Sequence, residues 1–394
     1  MKKIMILGAS ILQVPAIKRA KDMGLYVISI DMDPKAIGFE FADEHHVLST
    51  IDVDAVLELA KKINIDGIMT LASDKPMLTV AKVSNELGLN SISEETSIKV
   101  TNKARMRECL AEHNVPIPKF KVATNKEEYL NYISQFGSTY IVKPADSSGS
   151  RGIFLVENSE KSSEAYNHSI KYSSTGEILI EEYITGPEVS VESITINGKT
   201  NIIAITDKNT TGSPYFVELG HSIPSSLSEE IQENIKKVTI AAIDALGIEV
   251  GPSHTEIKVT DEGPKIIEVG ARLGGDNITT HLVPLSTGID MVKSLINMSI
   301  GIFENPKATK SKGAAISYFD SDEGTINNIL NLNEAYKIKG VNEIYFNKTI
   351  NDKTNKIRSS IDRIGYVISH ASTAREAIEI CKKVKDEIKI EFVK

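Results

Sequence analysis

The 394-residue sequence predicts a doubly wound α/β unit followed by α+β units rich in antiparallel strands. Three observations carry that reading. The first hundred residues alternate short apolar runs with helical stretches. Beyond residue 110, β segments increasingly follow one another directly. Hydrophobic content of 41% and charged content of 25% are those of an ordinary globular protein, long enough for two or three domains with their own cores.

Taken in order, KIMILG (3–8), YVISID (26–31), HHVLS (45–49) and GIMTL (67–71) read as buried strands. Residues 13–23, 52–63 and 75–87 read as the helices between them, and right-handed crossovers build a parallel sheet. GASILQVP opens the first helix and Asp31 ends the second strand, the places a dinucleotide would occupy. Only Gly8 stands where G-x-G-x-x-G needs three glycines, so a nicotinamide cofactor is not expected. A helix over 102–113 stops before Pro116 and Pro118, which lack the N–H that a continuing helix needs. Strand, helix and strand follow, ending in TYIVKPADSSGSRGIFLV, and EILIEEYITGPEVSVESI opens a run of β segments to about residue 220. Ser226 and Glu229 read as a capping box for a helix striped by Ile231, Ile235, Val238, Ala242 and Leu246. A hairpin over 253–270 completes this sheet, helical signals occupy 276–300, and an α+β stretch from 312 to 394 includes a turn at Thr373 between strand and helix.

The net charge of −8 argues against nucleic acid as a partner, because phosphate binding needs basic surface. No run approaches the ~18 apolar residues of a membrane helix, and MKKIMILGAS enters a strand instead of a cleavage site. Two cysteines, Cys109 and Cys381, are too few for a disulfide framework or a zinc site. A cytoplasmic protein is expected.

Three stretches carry chemistry. In SHTEIKVTDEGPKIIEVGARLGGD, Asp261–Gly263 reads as a three-residue hairpin loop; pairing Thr260 with Pro264 sets Glu256 opposite Glu268. Alternation then puts His254, Glu256, Ile266, Glu268 and Arg272 on one face. Two charges 4 Å apart repel by about 4 kcal/mol at an effective dielectric of 20. The acids therefore either face water or share a cation such as Mg²⁺, which takes oxygen ligands and phosphates. DSSGSRG (146–152), flanked by Lys143 and containing Arg151, is either a flexible hairpin or a loop whose N–H groups approach phosphate oxygens. A Walker A motif is absent. LIEEYITGPEVSVE offers an apolar slot with backbone donors and acceptors at 182–184 for a flat base, and Glu188 for ribose hydroxyls; the alternative is an edge strand with solvated acids.

In their order (Lys103, Lys143 with its Gly/Ser loop, E-E-Y-I-x-G-x-E, and two glutamates on paired strands followed by an arginine) these residues resemble the ATP-grasp superfamily over about residues 1 to 300. FVELGHSIPSSL and EVGARLGGD look most like the bacterial L-amino acid ligases. The resemblance implies an N-terminal Rossmann-like domain over 1–110, a small lobe over 111–184, and a large lobe over 185–394 that includes the α+β region 312–394. It implies ATP with Mg²⁺ (or Mn²⁺) as cofactors, and an acyl-phosphate route from a small carboxylate and an amine to an amide, with ADP and phosphate released. An ATP-dependent carboxylase working through carboxyphosphate, like biotin carboxylase or aminoimidazole ribonucleotide carboxylase, is the alternative, and a nucleotide-binding protein without turnover is a third. A homodimer is expected from the family. Residue by residue, Lys103 and Lys143 match the lysines on the α- and β-phosphates, and Ser147, Ser148, Gly149, Ser150, Arg151 and Gly152 match the loop over the β- and γ-phosphates. Glu181 matches the residue near the adenine amino group, Glu182, Tyr183 and Ile184 the hinge, and Glu188 the ribose ligand. Glu256 and Glu268 match the metal ligands, and Arg272 the arginine that stabilises the acyl-phosphate and tetrahedral intermediate, so Arg272 and Lys143 are the expected catalytic pair. Where many members place Asn, Gly270 stands, leaving the metal shell short of one side-chain oxygen. His221 is expected on the acceptor side; His254 reads as a base or, more simply, as a packing residue.

Overall fold

The computed structural model describes residues 1–149 and 151–393. Its N-terminal unit is a parallel sheet in the order Glu44–Val47, Tyr26–Asp31, Lys3–Leu7, Gly67–Thr70. Helices Val14–Asp22, Val53–Ile63 and Met77–Leu87 connect or follow these strands. Strand Lys3–Leu7 is apolar throughout because both faces are covered: Met5 and Leu7 enter one core, Ile4 and Ile6 another. Asp31 accepts a hydrogen bond from the Ala9 amide at 2.8 Å, so the first turn is closed by the carboxylate that a dinucleotide site would keep for ribose. A helix the sequence reading missed, Glu94–Thr101, is capped by Ser93 and leads almost directly into Lys103–Glu112, capped by Asn102.

The small lobe is an antiparallel sheet in the order Phe120–Ala123, Ile178–Glu182, Tyr140–Pro144, Phe154–Val156, backed by helices Lys126–Ile133 and Ser162–Ser169. It has a core of its own around Tyr129 and Tyr140, whose hydroxyls donate to Ser162. The N-terminal sheet, by contrast, shares its cores with the large lobe, where Val189, Val191, Ile257 and Ile266 join Met5 and Leu7.

The large lobe is built on one eight-stranded sheet, ordered Gly263–Gly270, Gly251–Thr260, Glu188–Ile196, Lys199–Thr210, Glu218–Ile223, Gly313–Tyr318, Gly365–Ala371, Val341–Phe346. The last three strands come from the C-terminal stretch, which therefore extends this sheet and also forms a three-stranded sheet of Lys353–Thr354, Gly324–Leu330 and Lys389–Val393. Thr373, in the turn expected between strand and helix, caps helix Ala374–Glu387 with a full capping box. Helix Glu229–Leu246 is capped by Ser228 and not by Ser226, because Asp207 already holds the Ser226 amide and hydroxyl at 2.8 and 2.7 Å.

The hairpin differs from expectation twice, and the differences cancel. Thr260 pairs with Gly263, so the loop is Asp261–Glu262 and one residue shorter than read. A bulge at Ile267 then restores the register, and Glu256 pairs with Glu268. Ile266 pairs with Ile257 inside the core instead of lying on the acid face, and Ile267 takes that face in its place.

Candidate active site

Helix Lys103–Glu112 brings Lys103 and Arg107 against the hairpin and the small lobe. The Lys103 ammonium donates to Glu268 at 2.7 Å and to the Ser147 carbonyl at 2.8 Å. Arg107, fully buried, donates to Glu181 at 2.7 Å and to the Ile267 carbonyl at 2.7 Å, which pins the bulge. The other Glu181 oxygen lies 2.6 Å from Lys143. Burial alone would raise Glu181, but Arg107 and Lys143 together hold it below the usual carboxylate range. Burial, with Arg107 and Lys103 nearby, pulls Lys143 below its ordinary value against the attraction of Glu181. Two buried cations on one anion leave a net positive charge beside the loop, which suits an anionic ligand.

Opposite this group stands Lys208, on strand Lys199–Thr210. Its ammonium lies 2.7 Å from Glu188, 3.1 Å from Glu256 and 3.7 Å from Glu218. Burial opposes its charge, yet Glu256, Glu188 and Glu218 raise it well above the lysine range. Each of the two opposed acids is thus met by its own lysine, Glu256 by Lys208 and Glu268 by Lys103, which answers the repulsion between them.

His254 bridges two acids. Its Nδ1 is 2.6 Å from Glu192 and its Nε2 is 3.6 Å from Glu256. Burial lowers the imidazole, but Glu192 and Glu256 outweigh it and push the histidine up to about 9. Gly274 permits this packing: a Cβ there would sit 2.6 Å from His254 Nδ1 and 2.9 Å from Glu192 Oε2. Arg272 lies on the same side, bonded at 2.8 and 3.2 Å to Asp74 of the N-terminal unit. A side chain at Gly270 would meet this pair, since a Cβ would lie 3.1 Å from Asp74 Oδ1 and 3.3 Å from Arg272 Cζ. Glycine at 270 therefore leaves room for the pair. His221 is buried with Nε2 3.3 Å from Asp276, which Arg363 grips through two 2.9 Å bonds.

These groups wall a cavity of about 330 Å³. Lys103, Lys143, Ser147, Ser148, Gly149, Arg151, His221, His254, Glu256, Glu268 and Arg272 all line it. Gly152 stands at the loop's exit with φ +81°, where a Cβ would press on Pro144 and Tyr172 within 3 Å. Ser150 lies outside the described residues. An adjoining slot of about 140 Å³ runs between the lobes, walled by Ile141, Ile153, Tyr183, Ile184, Phe216 and Ile267, with Glu181, Glu182 and Glu188 at its edge. Its apolar faces fit a flat base, and Lys143 and Lys208 line both spaces. Among the described residues no cluster of three or more metal-ligating side chains occurs. Glu256 and Glu268 still offer two opposed sets of hard oxygens, the donor type Mg²⁺ prefers when it shares its shell with phosphates and water.

Sequence reading missed Lys208, Arg107, Glu192, Asp74, Asp276 and Arg363. Glu192 was within reach, since alternation along Glu188–Ile196 puts it on the face of Glu188 and Ser190. Asp74 and Arg363 lie 198 and 87 residues from the partners they meet, and no local pattern marks them.

Residues 136–280 match the family model of the ATP-grasp domain. This stretch is similar to an ATP-grasp domain. A second model, L-amino acid ligase C-terminal domain 2, matches residues 317–393. The alanine–anticapsin ligase of Bacillus subtilis is 25% identical over 279 residues, 65% of this chain and 58% of the ligase. In structure the chain is similar to an L-amino acid ligase from Bacillus licheniformis, with a TM-score of 0.86, 23% identity and coverage of 100% and 99%. It is also similar to N5-carboxyaminoimidazole ribonucleotide synthetase from Thermotoga maritima, with a TM-score of 0.78, 20% identity and full coverage of both chains. These two structural likenesses are likenesses of fold. No described helix is long and apolar enough to cross a membrane.

Proposed function

We propose that this chain is an ATP-dependent ligase that joins a carboxylate to an amine through an acyl-phosphate, and that its substrates are amino acids. The observation that carries this reading is the 330 Å³ cavity in which Lys103, Lys143, Glu256, Glu268 and Arg272 converge beside an apolar slot sized for a base. The C-terminal match to the L-amino acid ligases supports the amino-acid part.

In this reading the slot between the lobes holds adenine, and Glu188 accepts the ribose hydroxyls. Lys103 and Lys143 hold the phosphates, and the loop over 147–152 excludes water from them. Glu256 and Glu268 hold Mg²⁺ (the same oxygens suit Mn²⁺), which when bound neutralises phosphate charge during transfer. The substrate carboxylate attacks the γ-phosphate, ADP leaves, and the amine then displaces phosphate from the acyl carbon. Arg272, oriented by Asp74, meets the negative charge that develops on the acyl oxygen. His254, held between two carboxylates, orients Glu256 and is not free to act as a base. His221 steadies Asp276 on the acceptor side.

The test is phosphate release from MgATP with amino acids supplied singly and in pairs. Release that requires particular amino acids is the expected result. Release driven by bicarbonate and indifferent to amino acids would overturn the ligase reading in favour of a carboxylase, and nucleotide binding without release under any mixture would overturn both.

A further inference from the structure

A second cavity of about 330 Å³ shares Leu12, Ala72, Gly275, Asp276, Ser360 and Arg363 with the phosphate cavity. One wall is aromatic: Tyr345 and Tyr366 pack with ring centroids 5.3 Å apart, and Tyr318 meets Tyr366 edge-on at 6.1 Å. Arg363 lies 3.8 Å over the Tyr318 ring, so this wall already stacks one guanidinium. The charges are unequal across the cavity. At the mouth Asp276 is neutralised by the two-pronged grip of Arg363. At the far end Glu343 is not. It accepts a hydrogen bond from the Tyr366 hydroxyl at 3.1 Å and lies 3.4 Å from His281. Among the described residues no lysine or arginine pairs with it. Burial pulls His281 below its ordinary range against the attraction of Glu343, so at neutral pH the imidazole leaves that carboxylate uncompensated.

We propose that this cavity takes the side chain of a cationic amino acid, its guanidinium or ammonium held by Glu343 against the tyrosine rings while its reacting end faces the phosphates. The proposal rests on the ligase reading for its placement. A half-buried carboxylate with no cationic partner attracts a cation, and a tyrosine face adds to that attraction. An acidic side chain would be repelled there, and an aliphatic one would strip water from Glu343 and return nothing.

The experiment compares L-arginine with L-citrulline, which has nearly the same shape and no charge, in the full chain. Binding is measured by calorimetry on protein loaded with MgADP, and turnover by phosphate release from MgATP. Arginine should surpass citrulline by about 10- to 100-fold in both readouts, the range of a lost charge-assisted bond. Glu343→Gln should collapse that ratio toward one, and Glu343→Asp should restore part of it, with unchanged melting curves as the folding control. Equal behaviour of the two ligands in the wild type, or an undiminished ratio in Glu343→Gln, would overturn the proposal. Arginine that binds through Glu343 without supporting turnover, alone or paired with any other amino acid, would overturn the ligase reading and leave the cavity assignment standing. Turnover with other amino acids while arginine neither binds nor reacts would do the reverse.

Discussion

At the scale of single residues, the site is a set of cations and anions whose pairing decides their protonation. His254 shows this most clearly. Its imidazole titrates at about 9 in the fold against an ordinary 6.5, raised by Glu192 and Glu256 in spite of burial. A group whose value rises on folding stabilises the fold fully below its unfolded value and loses that contribution as pH climbs through its folded value. In nucleotide- and metal-free protein, His254 therefore contributes most below about 6.5 and least above about 9. The expected contribution is on the order of a few kcal/mol. Urea denaturation of wild type and His254→Gln should show a stability gap that is widest near pH 6 and shrinks toward pH 9.5. A gap that stays constant with pH would mean the histidine is held neutral.

At the scale of elements, Gly186 links the small-lobe strand Ile178–Glu182 to the large sheet. Its φ is +134°, and a Cβ there would lie 1.9 Å from the Val259 carbonyl. The chain on either side is tied to the hairpin strand, whose Val259 amide donates to Pro187 at 2.9 Å. Gly186→Ala should push the hinge off the hairpin, costing about 1–3 kcal/mol of stability and raising the ATP KM about tenfold. Unchanged denaturation and KM would show that the hinge and the hairpin are uncoupled. The elements themselves were largely legible in the sequence, because buried parallel strands and capped amphipathic helices carry strong periodic signals. Glu256 and Glu268 were placed opposite each other by a register that was wrong at the turn and irregular at Ile267. Period-2 reasoning has no access to a bulge, and this one is fixed by Arg107, a residue of a distant helix bonded to the Ile267 carbonyl. Ile266 and Ile267 consequently exchanged faces.

At the scale of the whole molecule, three units contribute charges to one cavity. Asp74 reaches Arg272 from the N-terminal unit, Lys143 comes from the small lobe, and Arg363 reaches Asp276 from the C-terminal extension of the large sheet. The residues that the resemblance assigns to phosphate and metal were legible because they sit in local motifs, and the fold brings Lys103, Lys143, Glu256 and Glu268 to one cavity. The residues that orient them were not, since each belongs to an element far away in sequence. The central claim is that a carboxylate becomes an acyl-phosphate in this cavity. The most direct measurement uses a substrate amino acid labelled with ¹⁸O in its carboxylate, turned over with MgATP and its amine partner, followed by mass analysis of the phosphate. Transfer of one labelled oxygen to phosphate for each amide formed is the predicted result. Amide formed with unlabelled phosphate would contradict the account.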